Sequence, residues 1–177
     1  MIEHKNIPYY ISAIGLFIIL KYLYTIADIS DLIFLLEPTN LVVKFLTGAK
    51  SVFIQDSGYY FQQLDIIIDK SCAGFNFWLL CFLMLVFLSL KYFEKVILKI
   101  SAFIFSFIGA YIFTVLVNSS RIFVSVIIQK QAALALPIKE KIIHEGIGIL
   151  TNLTFLILIY LITERILKTR NANAKLT

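Results

Sequence analysis

Four stretches of this chain are apolar almost without interruption, and no other feature constrains its fold as strongly. They run from about Ile7 to Ala27, Gly74 to Leu90, Val96 to Val117, and Ile147 to Leu167. An α-helix rises 1.5 Å per residue, so crossing a hydrocarbon layer of ~30 Å takes about 20 residues. Each stretch is near that length, and each carries Leu, Ile and Phe all round, as contact with lipid requires. The third has two readings: it ends at Val117, or it continues through Arg121 to Ile128. Composition supports the membrane reading, with 60% hydrophobic and only 15% charged residues, against roughly half and a quarter in soluble domains. A chain of 177 residues has no room for these spans plus a separate soluble domain. The expectation is one membrane-embedded domain over residues 1–177, an all-α integral membrane protein with about four transmembrane helices. No small-residue cleavage pattern follows the first span, so it is expected to remain as an anchor.

The longest segment between spans, Asp28 to Ser71, reads in two parts. Asp31 to Leu46 has apolar residues at helical spacing interrupted by Glu37-Pro38, which predicts short interfacial helices broken at the proline. Ser51 to Ile54 and Tyr59 to Asp69 are β-branched and aromatic around the turn signal Asp56-Ser57-Gly58, which predicts a small β-hairpin. A second such segment, about Gln129 to Glu145, joins the third and fourth spans.

The net charge of +5 does not point to nucleic acid, because no basic stripe interleaved with aromatics is present. The basic residues instead crowd the short segments: Lys5, Lys91, Lys95, Lys99, Arg165, Lys168, Arg170 and Lys175. The two long segments hold most of the acids, including Asp28, Asp31, Glu37, Asp56, Asp65, Asp69, Glu140 and Glu145. Positive charge near span ends marks the cytoplasmic side. Both termini are thus expected in the cytoplasm, with both long segments outside.

That topology brings three unusual polar residues to one side at similar depth. Cys72 immediately precedes the second span, Arg121 stands at the outer end of the third, and His144 just before the fourth. A thiolate is favoured by a helix N-terminus and a nearby cation; Arg121 supplies permanent charge, and can also grip a substrate carboxylate. A histidine exchanges protons near neutral pH, as general base and then acid. Ala73 and Gly74 leave room beside the thiol for a substrate backbone, and N–H groups at the helix start suit an oxyanion. Asn118, three residues before Arg121, shares its helix face and either orients it or serves helix packing. The second cysteine, Cys81, lies deeper in the span. Nine helical residues separate the thiols by roughly 13 Å, too far for a disulfide. Lys21, within the first span, is expected to snorkel or pair with an acid. No metal-ligand spacing occurs, and no cofactor is implied.

Cys72-Ala73-Gly74, Asn118 to Arg121 and His144 resemble, in kind, order and depth, the motifs of the exosortase/archaeosortase family of membrane-embedded sorting enzymes. The short length and the Asn-Ile-Pro-Tyr-Tyr start resemble its compact form, exosortase K. The resemblance implies a cysteine peptidase or transpeptidase of the bacterial cytoplasmic (inner) membrane, with its active site facing outward. Its implied substrates are exported proteins bearing a C-terminal sorting signal: a short motif, a transmembrane helix and a basic tail. On this reading Cys72 is the nucleophile, His144 the acid/base and Arg121 the stabiliser, with Asn118 and Gly74 in support. The other class the sequence admits is a non-catalytic membrane scaffold or assembly factor for export of surface polysaccharide or protein.

Overall fold

The computed structural model describes the backbone of residues 4–132 and 140–174 and the side chains of 5–128 and 146–172. Helix α1 spans Ile7–Ile26, α2 Ile33–Thr47, α3 Phe75–Tyr92, α4 Val96–Ala132 and α5 Glu140–Ala174. Between α2 and α3 lie three strands, β1 Val52–Ile54, β2 Gly58–Phe61 and β3 Ile66–Ile68. Among the described residues four helical segments are long and apolar enough to cross a membrane: Ile7–Ile26, Lys70–Tyr92, Val96–Ile128 and Gly146–Ala172. That is the make-up of a multi-pass, mainly α-helical membrane protein. The third span takes the longer of its two readings, and α4 continues beyond it to Ala132.

The chain divides into two compact units. The first comprises residues 1–25, 76–113 and 156–177. Its core is α3, whose Trp78, Leu79, Cys81, Phe82, Leu85 and Val86 are buried, whereas α1 exposes Ile11, Ile14, Ile18, Ile19 and Tyr22. That contrast suits a central helix and a peripheral one whose surround is lipid, since lipid solvates an isoleucine as well as a protein core does. Aromatic rings lock α3 to α4: Trp78 and Phe107 have centroids 4.6 Å apart, and Phe82 meets Phe107 edge-on at 5.5 Å. The indole N–H of Trp78 donates to the Phe107 carbonyl at 3.2 Å. Lys21 finds an amide rather than an acid, with Nζ 2.6 Å from Asn76 Oδ1. Lys99 is buried rather than displayed at a span end. It donates to Asn6 Oδ1 at 2.5 Å, and Asn6 Nδ2 donates to the Leu90 carbonyl at 3.1 Å.

The second unit comprises residues 26–75 and 114–155. Here α2 runs unbroken through Pro38, contrary to the expectation of separate pieces. A proline in a helix costs ~3 kcal/mol, but Leu35, Leu36, Thr39, Asn40 and Val43, on both sides of it, are all buried. Burial of an apolar side chain contributes ~1.5–3 kcal/mol, so packing of the shared face outweighs the break. The helix ends at Gly48, in the left-handed conformation (φ +67°), whose N–H returns to the Lys44 carbonyl at 2.9 Å. This is the usual glycine C-cap.

The expected hairpin is one half of a three-stranded antiparallel sheet in the order β1-β2-β3. Asp56-Ser57-Gly58 makes the first turn, closed by Ser57 N–H to the Ile54 carbonyl at 3.1 Å. The segment Tyr59–Asp69 does not stay one strand; it folds back between Phe61 and Ile66, with Leu64 N–H to the Phe61 carbonyl at 3.1 Å. Asp65, at φ +52°, takes the left-handed position of that turn, which Asp tolerates better than most residues. Tyr59, Tyr60 and Phe61 pair with Ile68, Ile67 and Ile66. Phe61 and Ile68 are buried, and the sheet packs on α2 through β2.

Candidate active site around Cys72

The chain leaves β3 at Asp69, which is extended and caps the 3-10 turn Lys70–Cys72. One carboxylate oxygen of Asp69 accepts from Ser71 Oγ at 2.6 Å and from the Cys72 N–H at 3.2 Å. The turn closes on itself through Cys72 N–H to the Asp69 carbonyl at 3.0 Å and Ala73 N–H to the Lys70 carbonyl at 3.2 Å. An aspartate whose carboxylate accepts from an N–H within the next turn is a standard cap. Cys72 therefore ends a short turn and stands three residues before Phe75, not at the first turn of α3 itself. The N–H groups of Cys72 and Ala73 are engaged within the turn.

Gly74 makes the step from turn to helix, at φ +71°. A Cβ there would lie 3.0 Å from Thr114 Cγ2 and 3.1 Å from Asn118 Cγ. The space the glycine leaves is filled by α4, not held open for a substrate. Asn118 Nδ2 donates to the Cys72 carbonyl, so Asn118 clasps the cysteine backbone rather than orienting Arg121. The nucleophile candidate is thus pinned on both sides, by Asp69 at its N–H and by Asn118 at its C=O.

The Cys72 side chain is buried to 7% exposure, yet it borders a half-open cleft of about 280 Å³. One wall is Asp65 to Asp69 along β3, the floor is Ser71 and Cys72, and the far wall is Ile122, Ser125 and Val126 of α4. No residue of α5 lines this cleft among the described residues. Ser71 Oγ lies 3.9 Å from the Cys72 sulfur. Cys81 is fully buried within α3.

Arg121 is half-buried, and its Nε has no hydrogen-bond partner among the described residues. Its side chain passes over Gly148 of α5, with Cδ 3.5 Å and Nη1 3.6 Å from the place a Cβ would occupy. The side chain of His144 lies outside the described residues. Its backbone position is in α5, four residues before Gly148, and residues four apart share a helix face. Position 144 is therefore on the face of α5 that meets Arg121.

Three residues of this site escaped sequence reasoning. Asp69 and Ser71 carry a readable signal, the Asp-x-x-Cys spacing of a side-chain cap. Ser125 follows Arg121 by one helical turn on the same face; it is buried and lines the cleft, and its Oγ is unpartnered among the described residues. No group of three or more His, Cys, Asp or Glu able to hold a metal occurs among the described residues. No family model, curated protein or solved structure matches the chain.

Proposed function

We propose that this protein is a membrane-embedded cysteine peptidase or transpeptidase of the exosortase kind, with Cys72 as nucleophile, His144 as acid/base and Arg121 as stabiliser of the thiolate or substrate. The observation that carries the reading is the setting of Cys72. Its backbone is held at both N–H and C=O, and it borders a cleft also lined by Ser125, whose buried hydroxyl has no partner among the described residues. A cysteine serving only as apolar filler needs no such cleft, and Cys81, buried within α3, does not line this one.

The chemistry balances as an acyl transfer. The Cys72 thiolate adds to a peptide carbonyl carbon, and the carbonyl electron pair moves onto oxygen. The Ser125 hydroxyl and the Arg121 charge stabilise that oxyanion. Collapse breaks the C–N bond, and His144 gives the leaving amine its proton. The resulting thioester passes its acyl group to water or to an acceptor amine, whose proton His144 takes, and the thiolate returns. The substrates on this reading are exported proteins with a C-terminal transmembrane sorting signal, met at the outer face of a bacterial cytoplasmic membrane, with both termini of the enzyme inside.

The test pairs labelling with processing. Intact cells treated with a membrane-impermeant maleimide should label Cys72 from outside, and Cys72→Ser should lose the label. The C-terminal ends of membrane proteins, compared by mass spectrometry between wild type and Cys72→Ala, should show clipped species that vanish in the variant. Labelling only after the membrane is opened refutes the orientation, and unchanged processing in Cys72→Ala refutes the mechanism.

A further inference from the structure

The cleft at Cys72 has a wall of a particular kind, the open edge of a β-sheet. In the order β1-β2-β3, β3 pairs with β2 on one side, and no strand pairs with its other side among the described residues. Which backbone groups point outward follows from the register. A Cβ on Gly58 would collide with the Ile68 carbonyl oxygen, so that carbonyl faces β2. Backbone direction alternates along a strand, so Ile66 also faces β2, and the N–H and C=O of Ile67 face away from it. The Ile67 position lines the cleft, half exposed, and the chain continues from β3 through Asp69 and the 3-10 turn to Cys72.

We infer that the substrate binds as an added fourth strand along β3, its backbone exchanging hydrogen bonds with Ile67 and its reacting carbonyl delivered to Cys72. This rests on the peptidase reading and specifies how that site takes its substrate: an extended polypeptide segment held by its main chain. A neighbouring strand lies ~4.8 Å away in the sheet direction, and Ile66, Ile67 and Ile68 of the edge strand all line the cleft. Strand addition uses main-chain bonds for affinity and flanking pockets for side-chain choice. Here α4 lines the cleft with Ile122 and Val126 and with Ser125, a buried residue whose hydroxyl has no partner among the described residues. An open edge beside a thiol is otherwise a hazard, since exposed strand edges recruit other chains.

The test uses thiol-directed probes on the full-length protein in detergent. One is methyl vinyl sulfone; the second is an acetyl-tetraalanyl vinyl sulfone; the third is the second with its amides N-methylated. Strand addition predicts that the peptide probe alkylates Cys72 at least about tenfold faster than methyl vinyl sulfone, the scale of one or two hydrogen bonds, and that N-methylation removes the advantage. Ile67→Pro deletes the outward N–H and should remove it too, whereas Ile67→Ala, which keeps that N–H, should retain most of it. The methyl vinyl sulfone rate, measured in each of the three proteins, is the reference against which the peptide advantage is taken, so any change in the thiol itself divides out. An N-methylated probe as fast as its parent on the wild type, or a peptide advantage surviving Ile67→Pro, overturns strand addition while leaving the catalytic reading standing. No alkylation of Cys72 by either unmethylated probe removes the catalytic reading, and strand addition with it.

Discussion

Replacing Gly74 by alanine isolates the junction that sets Cys72 in place. The residue sits at φ +71°, where a side chain costs ~1–2 kcal/mol. The added methyl would lie 3.0 Å from Thr114 Cγ2, 3.1 Å from Asn118 Cγ and 3.3 Å from Asn118 Cβ. Thr114 and Asn118 are themselves buried and have little room to retreat, and overpacking of this order costs ~1–3 kcal/mol. Together the two effects amount to roughly 2–5 kcal/mol, which at ~2–4 °C per kcal/mol for a chain of this length lowers the apparent Tm by about 4–20 °C. The assay is thermal unfolding of the purified protein in detergent, read beside the rate of Cys72 alkylation by a small maleimide. Moving the residue two positions from the thiol should change that rate as well. Adding Thr114→Ser removes the closest methyl while keeping the hydroxyl, and should return part of the loss as a coupling of ~0.5–1 kcal/mol. A Tm within about 2 °C of wild type, with an unchanged alkylation rate, would refute the argument that α4 fills the space at Gly74.

Other substitutions probe the remaining parts of the site and the fold. Arg121→Lys keeps the charge but loses the planar fork, so processing should fall by about tenfold or more with the Tm nearly unchanged; wild-type processing would deny the guanidinium a role. Asn118→Asp removes the donor to the buried Cys72 carbonyl and sets a carboxylate against it, which should cost ~1–3 kcal/mol and alter Cys72 alkylation; an unaffected Tm would mean the clasp contributes nothing. Ser125→Ala removes a buried hydroxyl that has no partner among the described residues, so thermal stability should hold or rise while processing drops, and a fall in stability would show that the hydroxyl is structural. Asn6→Leu strips Lys99 of its amide partner, which should cost ~1.5–3 kcal/mol. Adding Lys99→Met should recover most of that loss in the same unfolding assay.

The spans were legible because hydrocarbon thickness converts directly into a length of apolar sequence, and α1 and α3 begin and end within a few residues of the expected limits. What the sequence concealed has the same character throughout: it depends on who the neighbour is. Pro38 reads as a break until the buried face on both sides of it is seen. Tyr59–Asp69 reads as one strand because its fold-back uses Gln62-Gln63-Leu64-Asp65, which lacks the glycine that normally announces a turn. Gly74 reads as open space, but its φ and the side chains of α4 give the opposite meaning. Arg121 was legible as an oddity in an apolar helix. The partner of Asn118 was not, because a carbonyl 46 positions earlier in the chain leaves no local trace.

The distribution of satisfied and unsatisfied groups around Cys72 is what supports the proposed catalytic reading over the structural one. Every polar feature that positions the cysteine has a partner: Asp69 serves Ser71 and the Cys72 N–H, and Asn118 serves the Cys72 carbonyl. On the facing wall the Ser125 hydroxyl has none among the described residues, and neither does the nearby Arg121 Nε. A buried donor or acceptor without a partner costs ~1–3 kcal/mol, a cost a purely structural surface sheds by carrying apolar residues instead. Thr39 Oγ1 and Asn118 Oδ1 are also unpartnered, so lack of a partner alone does not mark a site. Ser125 differs from both in lining the cleft that holds the thiol. A scaffold has no need for a rigidly held sulfur opposite an unfilled donor, whereas an acyl-transfer site needs both: the sulfur fixed before the substrate arrives, and the donor left free for the charge that develops when it reacts.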